Sequence, residues 1–102
     1  MLENKWVTKV LKPRLSELLP GCVILKNDPN MKQGIPDITI LYYGNYAVLE
    51  VKKSENATHR PNQDWYIEKF RDDFGVYANF VYPENLEEVL KDLEEYFLFG
   101  FF

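Results

Sequence analysis

The sequence predicts a single α/β domain in which a mixed central β-sheet is flanked by helices, in the order α-β-β-β-α-β-α. Three observations lead to this class. The chain has 102 residues, the length of one domain, and 46% of them are apolar, which is enough for one core. Apolar residues recur at helical spacing in three segments, and short β-branched or aromatic runs alternate with those segments. No internal repeat or linker divides residues 1–102, so we expect one domain throughout.

The composition excludes several classes of protein. Aromatic residues make up 16% of the chain, which argues against a disordered or low-complexity protein. No apolar run approaches the ~20 residues that cross a bilayer, and the first ten residues lack the apolar stretch of a secretory signal. Cys22 is the single cysteine, so neither an intramolecular disulfide nor a thiolate zinc cluster is possible. We therefore expect no membrane partner and a reducing, cytoplasmic compartment.

The first part of the chain predicts a helix, a strand and a loop. Residues 2–19 are apolar at helical spacing. Pro13 interrupts this helix, which predicts either a kink near Lys12 or two short helices with Pro13 in a first turn. Pro20 and Gly21 end the helix, and residues 22–26 (CVILK) form a short β-branched strand. The loop that follows is rich in Asn, Asp, Pro and Gly.

A β-hairpin comes next, formed by residues 38–43 (ITILYY) and 46–51 (YAVLEV) around a Gly44-Asn45 turn. After a polar loop, a second helix is predicted over residues 62–73. Its aromatic residues Trp65, Tyr66 and Phe70 are interpreted as core residues, with stacking of Trp65 and Tyr66 on a DNA base as the alternative.

The last elements are a strand over residues 77–82 and a third helix after Pro83. Asn85 and Glu88 have the spacing of a capping box, which predicts that Asn85 begins this helix. The apolar positions of the helix, at helical spacing, are Leu86, Val89, Leu90, Leu93 and Phe97.

Two acids and a lysine are predicted to meet at one end of the hairpin. Asp37 opens the first strand, and Glu50 lies near the end of its antiparallel partner, so the two carboxylates are side by side. Lys52 is two residues beyond Glu50 and leaves the same face. Carboxylate oxygens and a substrate phosphate are ligands that Mg²⁺ or Mn²⁺ prefers, which suits metal-assisted phosphodiester hydrolysis. On spacing alone, an ordinary charged sheet edge explains the same residues.

The surrounding motifs favour the nuclease interpretation. The sequence GIPD (34–37), twelve intervening residues, and then EVKK (50–53) resembles the PD-(D/E)XK nuclease signature, and RPNQDW (60–65) follows. Over about residues 3–93 the chain is similar to a stand-alone VRR-NUC domain, a subgroup often found in phages and related to Holliday-junction resolvases. The resemblance implies a restriction-endonuclease-like core, DNA as substrate, Mg²⁺ or Mn²⁺ as cofactor, and the host cytoplasm for a viral protein.

The resemblance also implies residue roles. Asp37, Glu50 and the backbone carbonyl of Val51 would ligate the metal, and Lys52 would be the catalytic lysine. Gln63 would face the site from the second helix. The helical acid that completes the metal shell through water would be Glu3, with Glu17 as the alternative on the same helix.

DNA binding is predicted despite a net charge of −4, because the charge is unevenly distributed. Residues 1–36 carry six bases against three acids, whereas residues 83–102 carry one base against six acids. Each cation alone is an ordinary surface charge. As a group they predict phosphate contacts, and His59 is interpreted as a solvated or phosphate-contacting residue. The candidate DNA-binding residues are Lys5, Lys9, Lys12, Lys26, Lys32, Lys53 and Arg60.

The C-terminal segment, residues 84–102, is acidic and then rich in phenylalanine. Phe97, Leu98, Phe99, Phe101 and Phe102 form an apolar cluster that predicts a homodimer contact, with a docking peptide for another protein as the alternative. Three functions remain open. They are a structure-selective endonuclease for branched DNA, a catalytically weak nucleic-acid-binding module, and a protein-interaction module that uses this tail.

Overall fold

The computed structural model describes residues 2–28 and 30–100, with side chains from Asn4 onward. The predicted element order α-β-β-β-α-β-α is confirmed, with two π-helical segments and one 3₁₀ turn added. The elements are α1 (Leu2–Trp6), π1 (Val7–Leu11), α2 (Lys12–Leu18), β1 (Val23–Lys26), β2 (Ile38–Tyr42), β3 (Asn45–Val51), α3 (Gln63–Glu68), π2 (Lys69–Asp73), β4 (Tyr77–Val81), a 3₁₀ turn (Pro83–Asn85) and α4 (Leu86–Phe99).

The N-terminal helical region shows how the backbone accommodates Pro13. This residue lies in the first turn of α2, as one of the two alternatives predicted, but π1 joins α1 to α2 without a break. Pro13 has no N–H and its ring would clash with the carbonyl four residues earlier in a regular α-helix. The wider turn of π1, in which the Lys12 N–H donates to the Val7 carbonyl, avoids that geometry.

The four strands form one mixed sheet in the order β1-β2-β3-β4. The β1/β2 and β2/β3 pairs are antiparallel and the β3/β4 pair is parallel. The hairpin turn lies at Tyr43 and Gly44, one residue before the predicted position, and Tyr42 pairs with Asn45. Both turn residues have positive φ, +46° and +79°, which is the requirement of a type I′ turn. The prediction was wrong because it placed the glycine first, as a type II′ turn would.

Both faces of the sheet carry a core around β3. On one face, Ile38, Ile40 and Leu49 are fully buried and belong to the main cluster, which also includes residues of π1, α2 and α4. On the other face, Val48 and Ala78 pack with Ile67 of α3. Because β3 lies between these two layers, polar side chains near its end are also shielded from water.

The aromatic residues of α3 and π2 differ from the prediction. Tyr66 and Phe70 are half-buried, but the Trp65 side chain is 56% exposed. Gln63 and Ile67, four residues apart, are the buried residues of α3. Trp65 is two residues from each and therefore lies on the opposite side of the helix. Its interpretation as a core residue was wrong.

Asn85 precedes α4 as predicted, but its side chain makes no capping hydrogen bond to that helix. Instead its Oδ1 accepts from the Tyr82 N–H at 2.9 Å, and its Nδ2 donates to the Phe80 carbonyl at 3.0 Å. The capping-box prediction was therefore wrong, because the 3₁₀ turn before α4 draws the side chain backwards. The predicted apolar residues of α4 are buried except Phe97, which is half-buried. None of the helices in the described part of the chain has the length and apolarity needed to cross a membrane.

Candidate active site

Asp37, directly before β2, and Glu50 of β3 lie at the end of the hairpin remote from its turn. The β2/β3 register pairs Ile38 with Leu49, so the next position pairs Asp37 with Glu50. Asp37 is half-buried, and its Oδ2 accepts a hydrogen bond from the Val51 N–H at 3.0 Å. That bond ties the start of β2 to the end of β3, which brings the two predicted metal ligands together.

The Glu50 carboxylate is buried, and only one of its two oxygens has a hydrogen-bond partner among the described residues. The residue is 4% exposed, and its Oε2 accepts from Gln63 Nε2 at 2.8 Å. Its Oε1 is buried without a hydrogen-bond partner among the described residues. Burial and the nearby Asp37 charge raise the pKa of Glu50 from 4.5 to about 8, and the Lys52 ammonium opposes this rise. A buried carboxylate with a free oxygen is unfavourable by itself, which points to a functional role.

The Lys52 side chain is only 7% exposed, just beyond the end of β3. Its backbone N–H donates to the Val81 carbonyl at 2.8 Å, which extends the β3/β4 pairing past the strand. Its Nζ donates to Gln63 Oε1 at 2.6 Å and to the Thr58 carbonyl at 3.1 Å. Two fixed acceptors therefore hold the ammonium in one place.

Gln63 connects the buried acid to the buried base. Its Oε1 accepts from Lys52 Nζ and from the Arg60 N–H at 2.8 Å, both of which are donors only. Its Nε2 must then face the Glu50 carboxylate, so the amide orientation is unambiguous. We refer to Glu50, Lys52 and Gln63, with the Thr58 carbonyl and the Arg60 N–H, as the buried polar network. The sequence predicted that Gln63 faces the site but not that it joins the other two side chains.

A contact between Gly34 and Asn62 brings the GIPD segment against the start of α3. Gly34 has φ +88°, and a Cβ atom on it would lie 2.6 Å from the Asn62 Cβ. Asn62 itself has φ +76° and precedes α3. A side chain at position 34 would push these two segments apart, so glycine is required there for both conformational and steric reasons.

These residues form the floor of a polar cleft of about 880 Å³. Asp37, Glu50 and Lys52 line it, together with Val51 and Gln63. Of the seven candidate DNA-binding residues, Lys53 and Arg60 also line the cleft. The other five lie outside its lining: Lys5, Lys9, Lys12, Lys26 and Lys32. Lys26 donates instead to Asn4 Oδ1 at 3.3 Å. The cations around the cleft are thus a smaller set than the sequence predicted.

The predicted helical acid is not placed by the structure. The Glu3 side chain lies outside the described residues. The alternative, Glu17, is exposed and lines a separate groove between α2 and α4 with Arg14 and Glu87. Among the described residues, no group of three or more His, Cys, Asp or Glu side chains is arranged to hold a metal ion. Asp37 and Glu50 are therefore a pair of carboxylates without a described third acid.

The loop before α3 supplies contacts that the sequence did not reveal. The Thr58 carbonyl and the Arg60 N–H act through the backbone, which carries no residue-type signal. His59, between them, stacks on Phe80 with ring centroids 4.1 Å apart and hydrogen-bonds Asp64 at 2.9 Å. The RPNQDW motif indicated this region, but only the folded chain shows that the exposed His59 side chain also has two partners in the protein.

Comparison with known proteins identifies the family. No family model matches the chain, and no match is found among curated proteins. A solved structure described as a "VRR_NUC domain" matches it with 31% sequence identity and a TM-score of 0.71. The match covers 94% of this chain and 98% of that one. The chain therefore belongs to the VRR-NUC domain family, with the restriction-endonuclease-like fold of the PD-(D/E)XK nucleases.

Proposed function

We propose that this protein is a divalent-metal-dependent DNA endonuclease that acts on branched DNA. Membership of the VRR-NUC family indicates a nuclease of the PD-(D/E)XK type. The observation that carries the proposal is the buried polar network. Glu50 lies beside Asp37 with an unpartnered buried oxygen, and Gln63 ties Glu50 to a buried lysine at the floor of an open cleft.

The donor set fits Mg²⁺ or Mn²⁺. Two neighbouring carboxylates repel each other when both are ionised, and a divalent cation offsets that charge. Glu50 Oε1 has no other described partner, and Asp37 has one oxygen bonded to the Val51 N–H. Asp37, Glu50 and the Val51 carbonyl would hold the ion, with Glu3 contributing through water. Such an ion supplies Lewis-acid stabilisation of charge on a phosphodiester and a more acidic water.

Lys52 is the proposed catalytic lysine. An ammonium group has three hydrogens, and two of them are directed to Gln63 and to the Thr58 carbonyl. The third is available to an oxygen of the scissile phosphate or to the attacking water. A fixed positive charge at that position stabilises negative charge as it develops in the transition state.

Gln63 and Asp37 position these groups. Gln63 holds the Glu50 carboxylate and the Lys52 ammonium on one amide, so their separation is set before substrate enters. The Val51 N–H does the same for Asp37. Because the site is assembled in the free protein, little reorganisation is needed on binding.

DNA binding is proposed to begin at the rim of the cleft. Lys53 is exposed at the end of β3, and Arg60 is exposed before α3. We propose that both contact DNA phosphates next to the cleft, because both line it; such contacts position DNA without reading its sequence. The described helices and strands all belong to the fold that carries the cleft, so recognition of DNA shape or branching is the proposed basis of selectivity.

The first experiment is incubation of supercoiled plasmid and a synthetic four-way junction with Mg²⁺, with Mn²⁺, and with EDTA. Metal-dependent cleavage, with faster cutting of the junction than of its linear duplex arms, is the expected result. Binding in a gel-shift assay without cleavage would instead favour the catalytically weak DNA-binding module. The absence of both would favour a protein-interaction module. Glu50→Gln, which alters a proposed metal ligand, should not cleave in the same assay. Glu68→Gln, which alters an exposed acid on α3, is its matched control and should cleave as wild type does.

We also propose that the protein works as a homodimer through the end of α4. Two symmetric cuts on a junction require two sites, and a two-fold pair provides them. Leu98 and Phe99 are 44% and 60% exposed at this end, whereas Phe101 and Phe102 lie outside the described residues. Truncation after Tyr96 should give a monomer or an insoluble protein in light scattering. A truncated protein that stays dimeric would place the contact elsewhere and leave the tail as a docking peptide.

A further inference from the structure

The loop of residues 52–62 joins β3 to α3 and supplies two backbone groups to the buried polar network. The Thr58 carbonyl accepts from Lys52 Nζ at 3.1 Å, and the Arg60 N–H donates to Gln63 Oε1 at 2.8 Å. These groups lie two residues apart in a segment without helix or strand. The geometry of the catalytic lysine therefore depends on a part of the chain that no sheet or helix holds.

His59 is the residue between these two backbone groups, and its side chain is anchored at two points. Its ring stacks on Phe80 with a centroid distance of 4.1 Å and an interplanar angle of 20°. Its Nδ1 donates to Asp64 Oδ1 at 2.9 Å, because a carboxylate only accepts. The imidazole is 37% exposed, so it keeps one side toward solvent while these two contacts hold it.

Both anchors adjoin the buried polar network. Phe80 of β4 is the register partner of Glu50 in the parallel β3/β4 pair, so the two side chains leave the same face of the sheet from neighbouring positions. Asp64 directly follows Gln63 in α3. His59 thus fixes the loop to the strand position next to Glu50 and to the helix position next to Gln63.

We propose that His59 is a positioning residue, which holds the Thr58 and Arg60 backbone groups against Lys52 and Gln63. This inference rests on the proposed nuclease function, because the value of holding Lys52 in place is catalytic. Loss of the His59 anchors frees the loop, and the Lys52 ammonium and the Gln63 amide each lose one fixed partner. A misplacement of about 1 Å at a catalytic group lowers turnover by about a hundredfold.

The activity test compares His59→Ala with His59→Phe, which keeps a ring to stack on Phe80. We expect His59→Ala to lower kcat by about 10- to 100-fold while the Kd for junction DNA changes less than twofold. His59→Phe should recover most of that loss, since it restores one of the two anchors. A rise in Kd with unchanged kcat would make His59 a DNA contact and overturn the proposal. Equal loss of kcat in both variants while the loop stays docked would indicate chemistry by the imidazole itself and would also overturn it.

A second measurement does not require activity. The Arg60 amide donates to Gln63 Oε1, so its hydrogen exchange, followed by NMR, reports whether the loop stays docked. Exchange at Arg60 should be at least tenfold faster in His59→Ala than in wild type, and close to wild type in His59→Phe. Unchanged exchange in His59→Ala would overturn the inference even if the enzyme cleaves DNA. If wild type proves inactive, the proposed function fails, but this exchange measurement still decides whether His59 positions the loop.

Asp64→Ala tests the second anchor, because it removes the oxygen that accepts from His59, and it replaces His59→Ala as the test if that variant does not fold. Asp72→Ala is its matched control, because the two carboxylates are 61% and 63% exposed and Asp72 pairs only with Arg71 among the described residues. We expect a three- to tenfold loss of kcat and faster Arg60 exchange for Asp64→Ala, with neither change for Asp72→Ala. Equal behaviour of the two variants would overturn the role of the Asp64 anchor.

Discussion

The two ends of the β2–β3 hairpin are about 17 Å apart along five strand residues. They differ in the side chains that they bury and in whether the polar groups of those side chains have hydrogen-bond partners. One end carries Asp37 and Glu50, polar groups held in a buried and partly unsatisfied arrangement. The other end is aromatic, and its buried hydroxyl group has hydrogen-bond partners. The Tyr96 hydroxyl donates to Asn45 Oδ1 at 2.8 Å and lies 2.9 Å from the Tyr46 carbonyl.

This difference distinguishes residues that stabilise the fold from residues that provide its proposed chemistry. Buried carboxylates that face each other oppose folding unless something compensates them. Aromatic packing with satisfied hydroxyls favours folding without providing chemistry. The cleft end should therefore respond to mutation mainly in activity, and the aromatic end mainly in stability.

The largest expected effect is at the cleft end. Asp37→Ala, Glu50→Gln and Lys52→Ala should each lower cleavage by at least about a thousandfold, because each removes a group proposed to act in the transition state. The variants should remain folded by circular dichroism. Cleavage at the wild-type rate by the Asp37 or Glu50 variant would contradict the assignment of these residues as metal ligands.

The Glu50 variant should also be more stable than wild type without metal. Since the pKa of Glu50 is raised to about 8 in the folded protein, folding favours its protonated form, and wild-type stability falls as the pH rises from about 4.5 to 8. Glu50→Gln removes this loss, so its advantage in the free energy of unfolding should grow over the same range, by up to about 1.4 kcal/mol for each pH unit. Urea unfolding at pH 5 and pH 8 measures it. An advantage that shrinks with rising pH would contradict the raised pKa.

Metal affinity should rise with pH over the range in which the stability of the metal-free protein falls. Mn²⁺ must displace the proton that Glu50 holds below pH 8, so its affinity should rise by about tenfold per pH unit from pH 6 and level off above pH 8. Isothermal titration calorimetry of wild type gives the Kd at each pH. A Kd that is constant between pH 6 and 8 would show that Glu50 is either ionised throughout or not a ligand.

DNA affinity distinguishes the cleft rim from the N-terminal lysines. Lys53→Gln with Arg60→Gln should weaken binding of junction DNA by about tenfold and reduce the salt slope by about 2, since two phosphate contacts are lost. Replacing Lys5, Lys9 and Lys12 together should weaken binding of all DNA sequences alike. Fluorescence anisotropy at several salt concentrations measures both. If the triple variant binds as tightly as wild type, those lysines are only a solvated helix face.

The smallest effect is expected at the aromatic end. Tyr96→Phe removes a buried hydroxyl that hydrogen-bonds the hairpin, and it should lower the free energy of unfolding by about 1 kcal/mol. The cleavage rate should not change. Tyr43→Phe, at an 87% exposed position of the hairpin turn, is the control and should alter neither quantity. A fall in cleavage without a loss of stability for Tyr96→Phe would break the separation between the two ends.

The sequence by itself determined the element order and the meeting of Asp37 with Glu50. Both depend on short-range information: helical and strand periodicity, and a hairpin whose strands are only a few residues apart. The predicted turn at Gly44 and Asn45 would place Asp37 opposite Lys52, whereas the observed register pairs Tyr42 with Asn45 and brings Asp37 opposite Glu50. The two registers differ by two residues, which keeps every side chain on the same face of the sheet, so Asp37 and Glu50 are neighbours in both. The motifs around Gly34 and Gln63 then indicated the family.

Only the tertiary structure decided how these residues are held. The burial of Glu50 requires layers on both faces of β3, and the network through Gln63 joins residues 11 and 13 positions apart across a loop. The exposure of Trp65 follows from the choice of Gln63 and Ile67 as the buried side of α3, although all of these positions fit a helical pattern. Sequence periodicity indicates which residues share a face of a helix or strand. Contacts between separate elements depend on how the layers pack, which periodicity does not indicate. Backbone groups such as the Thr58 carbonyl have no residue-type signal in the sequence.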